Sequence, residues 1–182
     1  MRELSLNVLD IAQNSVSANA SLIQIEVNEN TSDDTLTIII TDNGKGMTHE
    51  QVEKVVNPFY TTRTTRRVGL GVPFFKMAAE ISGGSFSIKS EVGKGTIVTA
   101  IFGLSNVDRM PLGDMTSTIS LLIRCNCDRD FIYKRIKDDK QFIVDTRQLR
   151  TILGDVPLNE PDVLKWIEDY INENTQDVCG NN

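Results

Sequence analysis

Several residue types are scarce in this chain, and each scarcity excludes a class of protein. The three cysteines, Cys125, Cys127 and Cys179, form no CxxC pair, so neither a disulfide framework nor a zinc site is expected. No apolar run approaches the roughly 20 residues that cross a bilayer, and no signal peptide is recognisable. The 19 Lys and Arg, against 25 Asp and Glu, are too few for a general nucleic-acid binder. We expect a cytoplasmic protein without membrane or nucleic-acid partners.

The chain contains enough apolar residues for a folded core. It has 182 residues, of which 40% are hydrophobic. This length suits one domain of common size with some residues to spare. We therefore expect one compact domain with a small appendage.

The most informative stretch is Thr41–Met47, which reads Thr-Asp-Asn-Gly-Lys-Gly-Met. The preceding residues, Leu36–Ile40, are rich in β-branched side chains and predict a buried strand that ends in a turn. The Asp42 carboxylate should therefore lie at the rim of the core. Gly44 and Gly46 lack side chains, so a flat ligand such as a nucleobase could approach the backbone beside that carboxylate. Taken alone, the stretch is equally typical of an ordinary hairpin turn.

A polar stripe follows one face of the first predicted helix, residues 3–19. Glu3, Asn7, Asp10 and Asn14 succeed one another at steps of four, three and four, opposite a broad apolar arc. Oxygen ligands without a neighbouring cation suit a hard metal ion, so Asp10 and Asn14 could hold Mg²⁺ and a water. A merely solvated helix face explains the same pattern.

Two successive segments favour anion binding. Phe59–Arg67 contains three arginines and four threonines, a composition that suits phosphate in an acidic protein, although a solubilising surface loop is the alternative. Gly69-Leu70-Gly71 follows, and Pro73 indicates the first turn of a helix. Free N–H groups at such a helix start can bind phosphate, although this GxG pattern is weak on its own.

In chain order, these segments resemble the motifs of the GHKL superfamily, the ATP-binding fold shared by gyrase, heat-shock chaperones of the ninety-kilodalton class, histidine kinases and MutL. The matches are residues 10–14 (Asp-Ile-Ala-Gln-Asn, N box), 42–46 (Asp-Asn-Gly-Lys-Gly, G1 box), 58–63 (Pro-Phe-Tyr-Thr-Thr-Arg, F box), 69–71 (Gly-Leu-Gly, G2 box) and 93–96 (Gly-Lys-Gly-Thr, G3 turn). The resemblance covers residues 3–103 and is closest to bacterial sensor histidine kinases. It implies a Bergerat-type α+β fold, a two-layer α/β sandwich in which helices cover one face of a mixed sheet.

The resemblance also implies roles for individual residues with ATP and Mg²⁺ as cofactors. Asp42 would accept a hydrogen bond from the adenine amino group, Asn14 would be the metal ligand, and Asp10 falls where related ATPases and kinases carry a glutamate that acts as general base. Because aspartate is one methylene shorter, positioning of water is an equally good role for Asp10. The implied cofactor-binding residues are Asn14, Asp42, Gly44, Gly46, Met47, Thr62, Arg63, Gly69, Leu70, Gly71 and Thr96, with Arg66 or Arg67 as further lid residues.

The expected function follows from this resemblance and from one departure. A sensor histidine kinase needs an upstream hairpin with a phosphoacceptor histidine, yet the N box begins almost at Met1, and the single histidine, His49, is expected on an exposed helix. We therefore expect a stand-alone kinase that phosphorylates a partner protein, such as a regulator or an anti-sigma-type target, and does not phosphorylate itself on His49. The alternative is a slow ATPase or a nucleotide-switched module that signals by lid closure. A homodimer is left open.

Residues 105–182 lie outside the resemblance and are predicted to form a C-terminal α+β extension of an ATP-binding domain at residues 1–104. A β-rich segment at Thr118–Arg124, a hairpin over residues 131–144 and a helix at Thr146–Leu153 are expected. A second helix, Pro161–Asn172, has an apolar face that includes Trp166, and this face should pack on the core or else bind another protein. The Asn-rich end is expected to be disordered.

Overall fold

The computed structural model describes residues 3–57 and 70–180. In chain order the elements are α1 (Leu4–Ser17), β1 (Leu22–Asn30), β2 (Thr35–Asp42), α2 (His49–Val56), α3 (Gly71–Ile81), β3 (Ser85–Glu91), β4 (Gly95–Gly103), α4 (Met115–Cys125), β5 (Asp130–Lys137), β6 (Lys140–Asp145), α5 (Thr146–Leu153) and α6 (Pro161–Cys179).

All the strands of this described part belong to one mixed sheet, in the order β3-β4-β2-β1-β5-β6. The β1–β5 pair is parallel, whereas the other neighbouring pairs are antiparallel. Helices α1, α3, α4 and α6 pack on one face of the sheet, which gives the predicted α+β sandwich.

The strands show why only one sheet face is covered. Along β1, Ile23, Ile25 and Val27 are buried, whereas the alternate residues are polar or only partly buried. Since successive strand side chains point to opposite faces, this alternation places one apolar face under the helices. On the other face, Glu26 and Lys134 form an ion pair at 3.3 Å in which both side chains are about one-third exposed.

The region after residue 104 continues this sheet. Strand β5 pairs with β1 over the full run from Leu22–Asp130 to Glu29–Lys137. A buried ion pair between Glu29 of β1 and Arg135 of β5 joins the two strands under the end of α6. The C-terminal region is therefore packed against the N-terminal region, whereas the predicted domain boundary at residue 104 stays a prediction.

Two predictions for the C-terminal region were wrong. Thr118–Arg124, expected to be β-rich, lies within helix α4, because the Asp114 carboxylate accepts a hydrogen bond from the Ser117 N–H and caps the helix start. Buried Ile119, Leu122 and Ile123 then recur at helical spacing. Helix α6 continues to Cys179, seven residues beyond its predicted end, so the expected disordered tail is helical as far as that residue.

Candidate functional site

The Asp42 carboxylate is held in one orientation at the end of β2. The Ser15 hydroxyl, on α1, donates to Oδ2 at 2.6 Å, and the Gly44 N–H donates to Oδ1 at 2.8 Å. Both Ser15 and Asp42 are buried. Each carboxylate oxygen keeps a lone pair, so the fixed carboxylate can still accept hydrogen bonds from a ligand.

Backbone contacts around two glycines bring the G1 and G3 turns together. Gly46 has φ +65°, and a Cβ there would lie 1.9 Å from the Glu91 carbonyl oxygen. Gly95 has φ +115°, and its Cβ would lie 1.9 Å from the Asp42 carbonyl oxygen. Both positions therefore require glycine on two grounds, the left-handed backbone and the absence of space.

Ser90, on β3, connects Met47 to Thr96. Its hydroxyl accepts a hydrogen bond from the Met47 N–H at 2.9 Å and lies 2.8 Å from Thr96 Oγ1. Two of the predicted cofactor-binding residues, Met47 and Thr96, thus lie beside each other through a serine that the sequence analysis did not single out.

A cavity of about 240 Å³ opens beside Asp42. Whole-ligand pockets usually measure about 300–1,000 Å³, so this volume suits one flat ring of a larger ligand. Apolar side chains form most of its wall, and Asn14, Ser15, Asp42, Lys45 and Thr96 supply the polar groups. The apolar lining comprises Ile11, Ala18, Met47, Val55, Val72, Ile88 and Val98. An apolar slot with one fixed acceptor at its end is what an aminopurine requires.

The structure divides the predicted polar stripe of α1. Asn14 is exposed and lines the cavity. Asp10 is also exposed, and its carboxylate packs against the start of α3, where Asp10 Oδ2 would lie 3.0 Å from a Cβ on Gly71. Asn7 is buried instead, under α3, so the stripe is not one continuous solvent face.

The start of α3 offers backbone donors. Leu70 is the N-cap, and in the part of the chain that is described no side chain caps this helix. The first N–H groups of α3 are therefore available to an anion. Gly71 lies at this helix start, whereas Thr62, Arg63, Arg66, Arg67 and Gly69 lie outside the described residues.

A turn-stabilising residue was also missed by sequence reasoning. The Asn43 side-chain oxygen accepts hydrogen bonds from the N–H groups of Ser21 and Leu22, both at 2.9 Å, and its amide donates to the Ser21 hydroxyl. Asn43 thus ties the turn after Asp42 to the start of β1. The serines and Asn43 form contacts distant in sequence, and only the position of Ser15 directly after Asn14 gave a signal.

The described residues bring no group of three or more His, Cys, Asp or Glu side chains together for a metal ion. Mg²⁺ does not require such a cage, since it commonly takes one or two protein oxygens and substrate phosphates. The Asn14 amide oxygen, beside both the cavity and Asp10, fits that mode of binding. Among the described residues, no helix is both long and apolar enough to cross a membrane.

The fold and this site define an ATP-binding domain of the GHKL, histidine kinase type. Residues 1–106 match the family model described as histidine kinase-, DNA gyrase B-, and HSP90-like ATPase. That match covers more than half of the chain, and the chain belongs to this family.

Sequence similarity to bacterial sensor proteins agrees with this assignment. The chain is 42% identical over 79 residues to the sensor protein SrrB of Staphylococcus aureus, which covers 41% of this chain and 13% of that protein. It is 35% identical over 77 residues to the sensor histidine kinase ZraS of Salmonella typhimurium, and this alignment covers 42% of this chain and 16% of ZraS. The chain spans less than a fifth of the length of these relatives.

Among solved structures, the N-terminal domain of a DNA repair protein has a similar fold. The TM-score is 0.54 at 17% identity, and the alignment covers 85% of this chain and 58% of that one. The fold similarity thus extends beyond the residues that match the family model.

Proposed function

We propose that this protein is a cytoplasmic, Mg²⁺-dependent kinase that transfers the γ-phosphoryl group of ATP to a partner protein in bacterial signalling. The observation that carries the proposal is the Asp42 carboxylate, fixed by Ser15 and Gly44 at the end of an apolar cavity. An adenine in this cavity would donate its amino hydrogen to Asp42. Guanine presents a carbonyl oxygen at that place, which the carboxylate would repel.

Residues at the other end of the site would act on the triphosphate. The N–H groups at the start of α3 would bind phosphate oxygens, and Thr62, Arg63 and Gly69 are proposed to close over them. Asn14 would hold Mg²⁺, which neutralises phosphate charge when it is bound. Asp10 lies next to the start of α3, so it is near the proposed position of the γ-phosphate.

The proposed reaction is an in-line displacement at the γ-phosphorus. A nucleophilic side chain of the partner forms a bond to phosphorus, the bond to the β-phosphate oxygen breaks, and ADP leaves. When the nucleophile carries a proton, Asp10 accepts it or orders a water that does so. A substituted Asp10 should therefore bind ATP well and turn it over slowly.

An exposed apolar stripe on α3 supports a protein as the phosphoryl acceptor. Leu70, Phe74, Met77 and Ile81 lie three or four residues apart, and Met77 and Ile81 are 48% and 57% exposed. Monomeric proteins rarely expose contiguous apolar surface without a binding role. Since this stripe starts at the proposed phosphate site, a protein docked on it would place a side chain near the γ-phosphate.

A small groove beside this stripe contains an unsatisfied acceptor. Asn7 lines the groove together with Phe74, Met77 and Ile81, and no described residue donates to the buried Asn7 Oδ1. A buried acceptor without a partner is costly, so a donor on the docked protein would supply the missing hydrogen bond.

The test is incubation of the full chain with Mg²⁺, γ-labelled ATP and the proteins encoded beside its gene. Wild-type protein should label one of them, Asn14→Ala should not, and Asp108→Asn, an exposed control outside the site, should behave as wild type. Release of labelled phosphate without labelled protein would instead identify a slow ATPase. Binding without turnover would identify a nucleotide switch, and either result would overturn the kinase proposal.

We propose that His49 does not receive the phosphoryl group. Its side chain is exposed on α2 and faces Glu53, with Nδ1 3.6 Å from Oε1. Transfer needs the acceptor in line at near-contact distance, and His49 is neither among the residues that line the nucleobase cavity nor among those that contact Gly71 at the α3 start. An acid-labile label on the pure protein that disappears in His49→Gln would contradict this.

A further inference from the structure

A second apolar depression lies between α5 and α6, away from the nucleotide cavity. It measures about 430 Å³ and is lined by Leu149, Ile152, Leu153, Asp162, Val163 and Trp166. None of these residues lines the nucleotide cavity. We call this depression the α5–α6 groove.

The groove contains large apolar side chains that are not buried in the core. Helix α6 buries Leu164, Ile167 and Ile171 against the rest of the protein. Trp166 lies on another side of the helix and is 51% exposed, and Ile152 of α5 is 81% exposed. The apolar face predicted for α6 therefore divides into a buried part and an exposed part.

One edge of the groove combines an aromatic surface with a carboxylate. The Trp166 ring stacks on Tyr170, with the ring centroids 5.2 Å apart and the planes 20° from parallel. Asp162 precedes Trp166 by four residues, so both lie on the same face of α6. A cation over an indole face gains cation–π attraction, and the neighbouring carboxylate adds to it.

The Asp162 carboxylate is the one charged group of the groove lining, and it has no counter-charge among the described residues. Residues 154–169 contain five acidic residues and one lysine. The two arginines of α5 are engaged elsewhere, since Arg147 pairs with Asp145 at 2.7 Å and Arg150 with Asp130 at 2.9 Å. Within residues 3–57 and 70–180, no cation pairs with Asp162.

We infer that the α5–α6 groove binds a basic amphipathic segment of another protein. Large aliphatic side chains of that segment would occupy the groove beside Ile152, and a lysine or arginine would lie over Trp166 next to Asp162. An amphipathic helix placed in an apolar groove is a common mode of peptide recognition. A second copy of this chain is disfavoured because it would bring like charges together.

Trp166 is the only tryptophan of the chain, so its fluorescence reports directly on the groove. The experiment titrates the full-length protein at 150 mM and 500 mM NaCl with two synthetic helical peptides of equal length, one built from leucine and lysine and one from leucine and glutamate. The leucine–lysine peptide should cause a saturable shift of Trp166 emission at both salt concentrations. The leucine–glutamate peptide should cause none.

Two variants and one matched control localise the effect. Ile152→Ser and Asp162→Asn should each weaken binding, the latter by about twofold to fivefold for one exposed charge pair. Asp108→Asn removes the same charge from an exposed loop and should change affinity less than twofold. Ile152 and Asp162 are exposed, so both variants should fold, and far-ultraviolet circular dichroism checks this.

Three outcomes of the titration would overturn the inference. These are no shift with either peptide, equal shifts with both, or equal weakening by Asp162→Asn and Asp108→Asn, which would indicate non-specific charge attraction. Analytical ultracentrifugation of the protein alone supplies a further check. A dimer that Ile152→Ser converts to a monomer would identify a second copy as the occupant and would likewise overturn it.

Discussion

Two aspartates at strand ends differ in how much of the hydrogen-bonding capacity of their carboxylates is used by the protein itself. Asp130, at the start of β5, accepts hydrogen bonds from the Thr146 hydroxyl and the Arg150 guanidinium, and Arg150 also donates to two backbone carbonyls. Asp42, at the end of β2, receives one hydroxyl and one backbone N–H and opens into a cavity. No cation of the described residues pairs with Asp42.

The difference separates the two regions of the molecule. In the C-terminal region, Asp114 and Asp145 cap helices and Asp130 pairs with Arg150, so these carboxylates stabilise the fold. In the N-terminal region, the Asp42 carboxylate keeps unused hydrogen-bonding capacity beside the cavity, and no side chain of the described residues caps the start of α3. Unused capacity on a rigid element is what a binding site requires.

The largest expected effect comes from separating the two regions. Truncation after Leu104 removes β5 and leaves β1 as an edge strand, and it uncovers the side of α1 that packs on α4. We expect an insoluble product or a Tm lower by at least about 10 °C. Differential scanning calorimetry measures this. A truncated domain as stable as the full chain would show that the regions are independent and would support the predicted boundary at residue 104.

The next effect concerns the buried ion pair across β1 and β5. Burial opposes the charge of the Arg135 guanidinium, but the Glu29 carboxylate outweighs burial and raises the pKa of Arg135. Glu29→Gln leaves that charge buried beside a neutral amide, and we expect a loss of about 3 kcal/mol in the free energy of unfolding. Urea denaturation measures the loss.

The same two strands offer a matched control for this prediction. Glu26 and Lys134 pair on the open face of the sheet, where both side chains are about one-third exposed. Glu26→Gln should cost less than about 1 kcal/mol. Equal losses in the two variants would show that burial of the Glu29–Arg135 pair has no special effect.

Substitution of Asp10 should affect turnover more than it affects ATP binding. Asp10→Asn removes the proton acceptor but keeps the shape of the side chain, so turnover should fall by about 100-fold, whereas ATP affinity stays near that of the wild type. Isothermal titration calorimetry and a phosphotransfer assay separate the two quantities. Unchanged turnover would remove Asp10 from the mechanism.

Nucleotide selectivity should depend on Asp42. Asp42→Asn can turn an N–H toward the adenine amino group, so ATP affinity should fall at least about tenfold, or 1.4 kcal/mol. The Ser15→Ala variant keeps the Asp42 carboxylate, so its loss of ATP affinity should be smaller than that of Asp42→Asn. Equal affinity of the wild-type protein for ATP and GTP in calorimetry would refute adenine recognition by Asp42.

The smallest expected effect comes from a helix cap in the C-terminal region. The hydroxyl and N–H of Ser117 bind the Asp114 carboxylate and lower its pKa. Because the folded pKa lies below the unfolded one, Asp114 stabilises the protein above about pH 4, and this contribution is lost as the pH falls through the folded pKa.

Unfolding experiments at several pH values test the cap. Asp114→Ala should cost about 1 kcal/mol at pH 7, and the difference from wild type should shrink as the pH falls through the lowered pKa of Asp114. An asparagine side chain can cap a helix without a charge, so the Asp114→Asn variant should show little of this pH dependence. A cost for Asp114→Ala that is the same at neutral and at acidic pH would contradict the assignment.

Local sequence patterns predicted the elements that depend on local chemistry. The strand ending at Asp42 and the exposed helix that carries His49 were both correct. β-Branched runs and capping residues such as Thr48 act within a few positions. Helix α4 was mispredicted because β-branched residues at Thr118, Ile119 and Ile123 resemble a strand. The Asp114 cap and the packing of α4 on α1 and α6 decide otherwise.

The contacts that complete the site depend on residues far apart in the chain. Ser15 reaches Asp42 across 27 positions, and Ser90 reaches Met47 across 43. Ser90 belongs to no pattern that local spacing can reveal, and Ser15 is indicated only by its position directly after Asn14. Asn7 shows the same limit, because its place in the polar stripe predicted a metal-binding or solvated helix face, whereas the packing of α3 buries it.

The parallel pairing of β1 with β5 has a consequence for synthesis of the protein. Leu22 pairs with Asp130, so one edge of β1 has no partner until about a hundred further residues have been translated. At typical elongation rates of about 5–20 residues per second, that interval lasts roughly 5–20 s. During this time an apolar strand edge is available to other nascent chains. Yield in the cell should therefore depend on chaperones and on translation speed through residues 105–137 more than final stability alone would indicate.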